Sequence, residues 1–311
     1  MLFLLLACTG SGENSAGSLQ SNDESFVVET LSFPASYLVQ RLAGELVKEH
    51  CVLPTGEDPV SWNPSPDEIA RVQKADLIVG NGAGFEGWVQ TASLPTSKLI
   101  LSADDLNLIH GEGKTHSHGK GGDHSHGEID PHTWASPEIY KQQARVIHDA
   151  LTQKLPSKKE DLAKNLKALE QDLEALDQEY KKVFEGLKTV PFAANHPSYT
   201  YLAREYKLSI QSFDFDPEME MKLEGEGLVA FDTWREKTGA SVLFWESEPN
   251  QSAKDSFSEE ILHIYIDPLE QPAGKYDYLS QAKANIKRFQ SIEVSSSKEK
   301  SLFPEEHGHP H

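Results

Sequence analysis

Cysteine is nearly missing from this 311-residue chain: Cys8 and Cys51 are the only two, too few for a disulfide framework. Basic residues are scarce as well, 29 Lys and Arg against 49 Asp and Glu, for a net charge of −20 at pH 7 with His neutral. A field of that sign repels phosphate backbones and anionic headgroups and favours cations, so no nucleic-acid partner is expected. Beyond the first few residues no apolar run approaches the roughly 18 to 20 needed to span a bilayer. Neither a His-Glu-x-x-His helix nor a Gly-x-Ser-x-Gly elbow occurs, which removes the two commonest hydrolase signatures.

What is present begins with Met1 to Ala7, an apolar stretch ending in Leu5-Leu6-Ala7-Cys8. It resembles a bacterial lipobox, in which the signal is cut before a cysteine that then becomes the lipidated N-terminus. A Ser/Gly/Asn-rich tether from Thr9 to Ser21 follows, as a lipid-anchored protein requires. Cys8 is therefore the expected lipidation site, and export to the periplasm or the extracellular face is expected with it. The stretch lacks a basic region and is shorter than the usual 7 to 15 apolar residues, so the start is expected upstream of Met1. Cys51, beside His50 and Val52, reads as a buried rather than a reactive thiol.

From Ser25 onward short β-branched runs alternate with helical stretches, the pattern of βα units and an α/β fold. Strands are expected at Phe26–Thr30, Cys51–Leu53, Asp76–Val79, Lys98–Leu101, Val190–Ala194, Ser209–Phe213, Ser241–Trp245 and His263–Ile266. Helices are expected at Pro34–Lys48, Pro66–Lys74, Ser198–Tyr206, Gly227–Thr238 and Tyr276–Gln290, with another starting at Ser136 as N-cap and Pro137 in the first turn. Between Ser157 and Leu187 the residues Leu162, Leu166, Leu169, Leu173, Leu176, Tyr180 and Val183 form a one-face stripe. A helix of about 30 residues spans about 45 Å, so it fits a strut between two lobes better than a coiled coil of barely four heptads. The expected organisation is a signal and tether at 1–24, an N-terminal α/β lobe at 25–156, the linking helix at 157–187, a C-terminal α/β lobe at 188–292 and a disordered His-containing tail at 293–311. Within the first lobe, 110–128 is Gly, His, Lys and Asp with almost nothing to bury, and is expected to be a mobile loop.

Three residues stand where strands give way to loops, the place where open α/β sheets bind ligands. His132 lies in Asp130-Pro131-His132-Thr133-Trp134, His196 in Asn195-His196-Pro197, and Asp267 ends a strand before Pro268-Leu269. Two imidazoles and a carboxylate suit Zn²⁺ and, with more oxygen, Mn²⁺. Taken singly, each His could equally be an ordinary loop histidine and Asp267 a cap. His50, His148 and His263 fall inside helix or strand patterns and read as structural. The spacing Gly82-x-Gly84-x-x-Gly87 imitates a dinucleotide fingerprint, but a lone match is weak and a turn into a helix accounts for it.

The motifs Asn63-Pro64-Ser65-Pro66-Asp67, Lys74-Ala75-Asp76-Leu77-Ile78-Val79-Gly80-Asn81-Gly82, Asp130-Pro131-His132-Thr133-Trp134, Asn195-His196-Pro197-Ser198-Tyr199, Asp216-Pro217-Glu218 and Asp267-Pro268-Leu269 occur in one order. In that order and spacing the chain resembles the solute-binding component of bacterial zinc/manganese ABC importers, the cluster A-I, ZnuA-like family, over Phe26 to Phe289. The resemblance implies two lobes joined by one long rigid helix, metal in the cleft between them, delivery to a membrane permease, no catalysis, and a monomer. It also places the metal residues at His132, His196 and Asp267. Histidine at position 196 rather than glutamate is the zinc members' pattern more than the manganese members'.

One departure matters. The family's first metal histidine is missing, the stretch here reading Glu57-Asp58-Pro59-Val60-Ser61-Trp62. Val60 cannot bind metal, so Glu57, Asp58, water or a loop histidine is expected to complete the site. The loop's His110, His116, His118, His124 and His126 are expected to capture metal weakly, since they must be ordered by the ion itself. The alternatives are a metal-buffering or surface interaction protein with a degenerate site and, less favoured, a zinc hydrolase exploiting the open fourth position.

Overall fold

The computed structural model describes residues 25–106, 108–109, 115–117, 123–125, 129–272 and 277–302, with backbone alone for 115–117, 123–125 and 293–302. The expected signal, tether and lipidated Cys8 lie outside the described residues, as do His110, His118, His126 and the last residues of the tail.

Two parallel sheets form the frame. The first contains β1 (Val27–Thr30), β2 (Lys48–Cys51), β3 (Leu77–Gly80) and β4 (Leu99–Leu101) in the order β2-β1-β3-β4. Helices α1 (Phe33–Ala43), α2 (Pro66–Lys74) and α3 (Pro137–Lys154) accompany it. A two-stranded antiparallel ribbon, β5 (Thr115–Ser117) and β6 (Asp123–Ser125), sets His116 opposite His124. That ladder corrects the expectation of a structureless loop: Thr115, Ser117 and Ser125 tolerate extended backbone.

Helix α4 (Lys159–Glu185) leads to the second sheet of β7 (Pro191–Ala194), β8 (Ser209–Ser212), β9 (Val242–Trp245) and β10 (Leu262–Tyr265), ordered β10-β9-β7-β8. Helices α5 (Thr200–Tyr206), α6 (Glu226–Thr238), α7 (Gln251–Lys254) and α8 (Tyr278–Leu302) complete the lobe. Read from its other edge, this sheet repeats the strand order of the first: second, first, third, fourth. In such sheets the crevice opens where the chain winds off in both directions from the first strand, between β1 and β3 and between β7 and β9.

Local chemistry sets the ends of the elements. Ser65 and Glu68 form a reciprocal capping box on α2, Ser65 N–H donating to Glu68 at 2.7 Å. Ser136 Oγ accepts the Ile139 N–H at the start of α3. Gly44, at a φ of 48° that a residue with a side chain resists, stops α1 at Ala43, five residues short of the expected Lys48. Strand β2 therefore starts three residues before the expected Cys51. Hydropathy hid it because Lys48, Glu49 and His50 belong to an edge strand with one exposed face. At the other end α8 continues to Leu302, correcting the disordered tail over 293–302: Lys and Glu, frequent in that stretch, are good helix formers that need no burial to extend a helix already nucleated.

The stripe on α4 is buried as expected, Leu162, Leu169, Leu173 and Leu176 all at 0% exposure with Leu166 half-buried. It packs on α1, α3 and α8, so this chain itself covers the face a coiled-coil partner would need. One continuous core runs from Val28, Leu38 and Tyr140 through α4 to Phe192, Phe244 and Phe289, joining both lobes. Among the described residues no helix is long and apolar enough to cross a membrane.

Candidate functional site

His196 directly follows Asn195 at the end of β7, and Glu246 directly follows β9, so both stand at the winding point of the second sheet. Asn195 ties them together, its N–H and side-chain oxygen pairing with Phe244 O and with the Glu246 N–H at 2.9 Å. In the first lobe the corresponding point carries Asn81, after β3. Its side chain donates to Pro131 O at 3.0 Å and accepts from Thr133 Oγ1 at 2.9 Å and Gln143 Nε2 at 2.8 Å. The segment holding His132 is thereby suspended from the first sheet by a buried polar network.

The two winding points face each other. The rings of His132 and His196 are 5.7 Å apart, nearly perpendicular, and each residue is 1% exposed. His132 Nδ1 lies 2.8 Å from Asp130 Oδ1, which also accepts the His132 backbone N–H at 2.9 Å. His132 Nε2 lies 3.1 Å from Glu270 Oε1. His196 Nδ1 is 4.0 Å from Glu246 Oε2.

The charges follow from these neighbours. Burial works against a charged His132, but the Asp130 and Glu270 carboxylates together outweigh it and raise its pKa to about 10. Burial likewise opposes the Asp130 charge, and His132 overcomes it, holding that carboxyl below its ordinary value. The ring thus lies between two carboxylates, Asp130 on Nδ1 and Glu270 beside Nε2, and both favour its charged form. Two donors about 2.0 to 2.1 Å from one tetrahedral zinc stand about 3.3 Å apart, close to the 3.1 Å between Nε2 and Glu270. Among the described residues no three His, Cys, Asp or Glu side chains converge on a single point at ligand distance. His196 is the next imidazole to the His132–Glu270 pair, its ring 5.7 Å from that of His132.

Of the residues singled out in the sequence, His132 and His196 come together. Asp267 uses its carboxylate on its own turn, Oδ1 accepting the Leu269 N–H at 2.8 Å with Tyr265 also hydrogen-bonded to it, and burial pushes its pKa up. Asp58 caps its own loop, accepting from Val60 N–H and Ser61 Oγ, each at 2.9 Å. Glu57 offers its backbone carbonyl to Gln271 Nε2 at 2.6 Å. Val60 is half-buried against the main core. Glu270 was not singled out: the only local signal is an acid three residues after Asp267 at a strand end.

The remaining motifs resolve as structure. Gly82, at φ 83°, has no room for a Cβ, which would run into Asp104 Oδ1 and Leu101 Cβ. The N–H groups of Asn81 and Gly82 are taken by the buried Glu86 carboxylate at 2.8 and 3.0 Å, and that of Ala83 by Asp104. The donors a pyrophosphate would need are already occupied. His50 pairs with Glu29, His148 with Asp149, and His263 Nδ1 accepts the Trp245 indole N–H at 2.9 Å. Cys51 is half-buried and burial pushes its thiol up to about 11, well away from a reactive thiolate. A cavity of about 340 Å³ beside α1 and β2 includes Cys51, Gln271, Pro272 and Asp277 in its wall but neither site histidine. A bare ion needs no such space.

Comparison with known proteins follows this geometry. Residues 27–292 match the family model for the periplasmic component A of zinc-uptake complexes, ZnuA. The high-affinity zinc uptake system protein ZnuA of Bacillus subtilis is 28% identical over 265 residues, 83% of this chain and 82% of its own. The manganese ABC transporter substrate-binding lipoprotein PsaA of Streptococcus pneumoniae is 27% identical over 305 residues, 93% of this chain and 94% of its own. The crystal structure of the metal-dependent lipoprotein YcdH from Bacillus subtilis superimposes with a TM-score of 0.75 at 22% identity, covering 86% of this chain and 98% of that one. At that identity the last match speaks for the fold.

Proposed function

The chain belongs to the family of the periplasmic component A of zinc-uptake complexes, and from that premise we propose that it is an extracytoplasmic receptor that captures Zn²⁺ between its lobes and hands it to an ABC permease. The observation that carries this reading is the buried pair His132 and His196, 5.7 Å apart at the facing winding points of two sheets, with a carboxylate on the outer nitrogen of His132. Two imidazole nitrogens and carboxylate oxygen are the donor set zinc prefers, and Mn²⁺ is the second cargo such a set accommodates. His132 and His196 supply the nitrogens. The turn 267–270 supplies the oxygen, through Glu270, which faces the ring, with Asp267 bracing the turn.

The receptor works as a monomer that returns its cargo unchanged, tethered to the membrane through lipidated Cys8. Relatives named as lipoproteins and the tether composition support that anchor. Zinc titration in competition with a chelator, which leaves weak surface histidines silent, is the test: His132→Ala and His196→Ala should each abolish the tight site. Tight binding that survives both substitutions would overturn the reading.

A further inference from the structure

The turn that carries Glu270 is held in a conformation it would not choose alone. Leu269 sits at φ 64°, in the left-handed region that a branched apolar residue enters at a cost and that persists only when the surroundings enforce it. Two ties enforce it. From within the turn, Asp267 Oδ1 takes the Leu269 N–H at 2.8 Å. From the other lobe, the buried indole of Trp134 donates its N–H to Pro268 O at 2.8 Å.

Trp134 is two residues from His132, and the two rings meet edge to face at 5.5 Å. Its own position is fixed from both sides. Phe85 lies against its ring at 4.5 Å between centroids, and Tyr278 of the second lobe donates to its backbone carbonyl at 2.6 Å. One side chain therefore touches the nitrogen ligand, grips the turn bearing the oxygen donor, and does so across the boundary between lobes.

We propose that Trp134 is a positioning residue that, through its hydrogen bond to Pro268 and the left-handed Leu269, aims Glu270 at the metal-binding nitrogen of His132. This rests on the receptor reading above and gives it a second part: the carboxylate ligand is set from the opposite lobe. Asp267 acts with Trp134 as the second tie and stays off the metal. Zinc is then felt by both lobes through a single contact, because withdrawing Pro268 from the indole withdraws Glu270 from the cation.

The test is a double-mutant cycle in the full chain, read by zinc titration against a chelator. Trp134→Phe keeps an aromatic ring and deletes the indole N–H, and should weaken zinc by several-fold to about tenfold, the range for one hydrogen bond. Glu270→Ala should weaken it further, and adding Trp134→Phe to Glu270→Ala should cost nothing more, since residues acting through one group are not additive. Additive losses, or an unchanged Trp134→Phe protein, would overturn the proposal. Should Trp134→Phe fail to fold, Asp267→Ala repeats the cycle from the other tie. A positioning Asp267 loses its effect in the Glu270→Ala background, and a cost that persists there would mark it as a direct ligand and overturn the assignment. Glu270→Ala binding as tightly as the parent while His132→Ala does not would sink this proposal and leave the receptor reading standing. Retention of tight zinc by His132→Ala would sink the reading itself.

Discussion

On the proposed reading, the cargo competes with a proton for His132. With Asp130 on Nδ1 and Glu270 beside Nε2, the His132 pKa is raised to about 10, which favours a charged ring at neutral pH. Zinc binds only the neutral ring. Each zinc taken up at pH 7 should therefore release about one proton from His132, measurable by calorimetry in buffers of different ionisation heat, and affinity should weaken as pH falls. Release of no protons would exclude Nε2 as a ligand. The stability of the metal-free protein moves the other way. A histidine whose pKa is raised on folding stabilises fully below its unfolded value near 6.5, and that contribution fades as pH climbs towards about 10. Neutral to mildly alkaline conditions thus loosen the empty site while they favour the loaded one. That His132 and His196 meet was legible in the sequence, because each follows a strand or sits in a short motif that is itself local. Glu270 was not. Its role depends on meeting a ring 138 positions earlier in the chain, and an acid between Leu269 and Gln271 has no periodicity to betray it. Asp267, by contrast, stood out for its strand-end position, and the same position is what commits its carboxylate to the turn.

At the level of elements, α4 is where the sequence spoke most clearly, since a stripe at steps of three and four over this length has no other reading in an α/β chain. What periodicity could not say is what covers it. The answer is α1, α3 and α8, drawn from both ends of the chain, so the helix is less a spacer between two cores than the middle of one. Leu173 lies at its centre with 0% exposure. Leu173→Ala should cost about 2 to 5 kcal/mol, the range for a large-to-small change that leaves a cavity. Because the same core reaches Val28 and Phe289, the loss should appear as a shift of a single urea transition probed by tryptophans of either lobe. Two separated transitions would show that the lobes keep independent cores. Edge strands were the poorest reading, for the reason seen in β2: half of an edge strand's residues face water, and Lys48-Glu49-His50 looks like the end of a helix until Gly44 is recognised as its stop.

Across the whole molecule, the two lobes share a strand order and press their winding points together, with hydrogen bonds crossing the boundary on both sides of His132. Trp134 reaches Pro268 on one side, and Tyr201 donates to Asp130 O at 2.9 Å on the other while accepting from Ile109 N–H. Together with α4 these ties favour small shifts of loops over a wide hinge closure as the way in and out for the cation. They also bear on the His-rich segment that leaves the first lobe nearby. Its base is pinned, Asp130 N–H donating to Ile109 O at 3.0 Å, so the chain departs and returns at one point beside the site. Residues Gly111 to Gly127 include no large apolar side chain, and deleting them behind a short Gly linker removes little buried apolar area, the main source of stability. The melting temperature of the metal-free protein should then hardly change, while stoichiometry falls. The pair His132 and His196 is preformed and needs no gathering by the ion, so the weak sites of the loop histidines should vanish and one tight site remain. Zinc titration of the full and shortened chains decides it: loss of the tightest site on deletion would mean that a loop histidine, rather than Glu270, stands in for the imidazole missing at Val60.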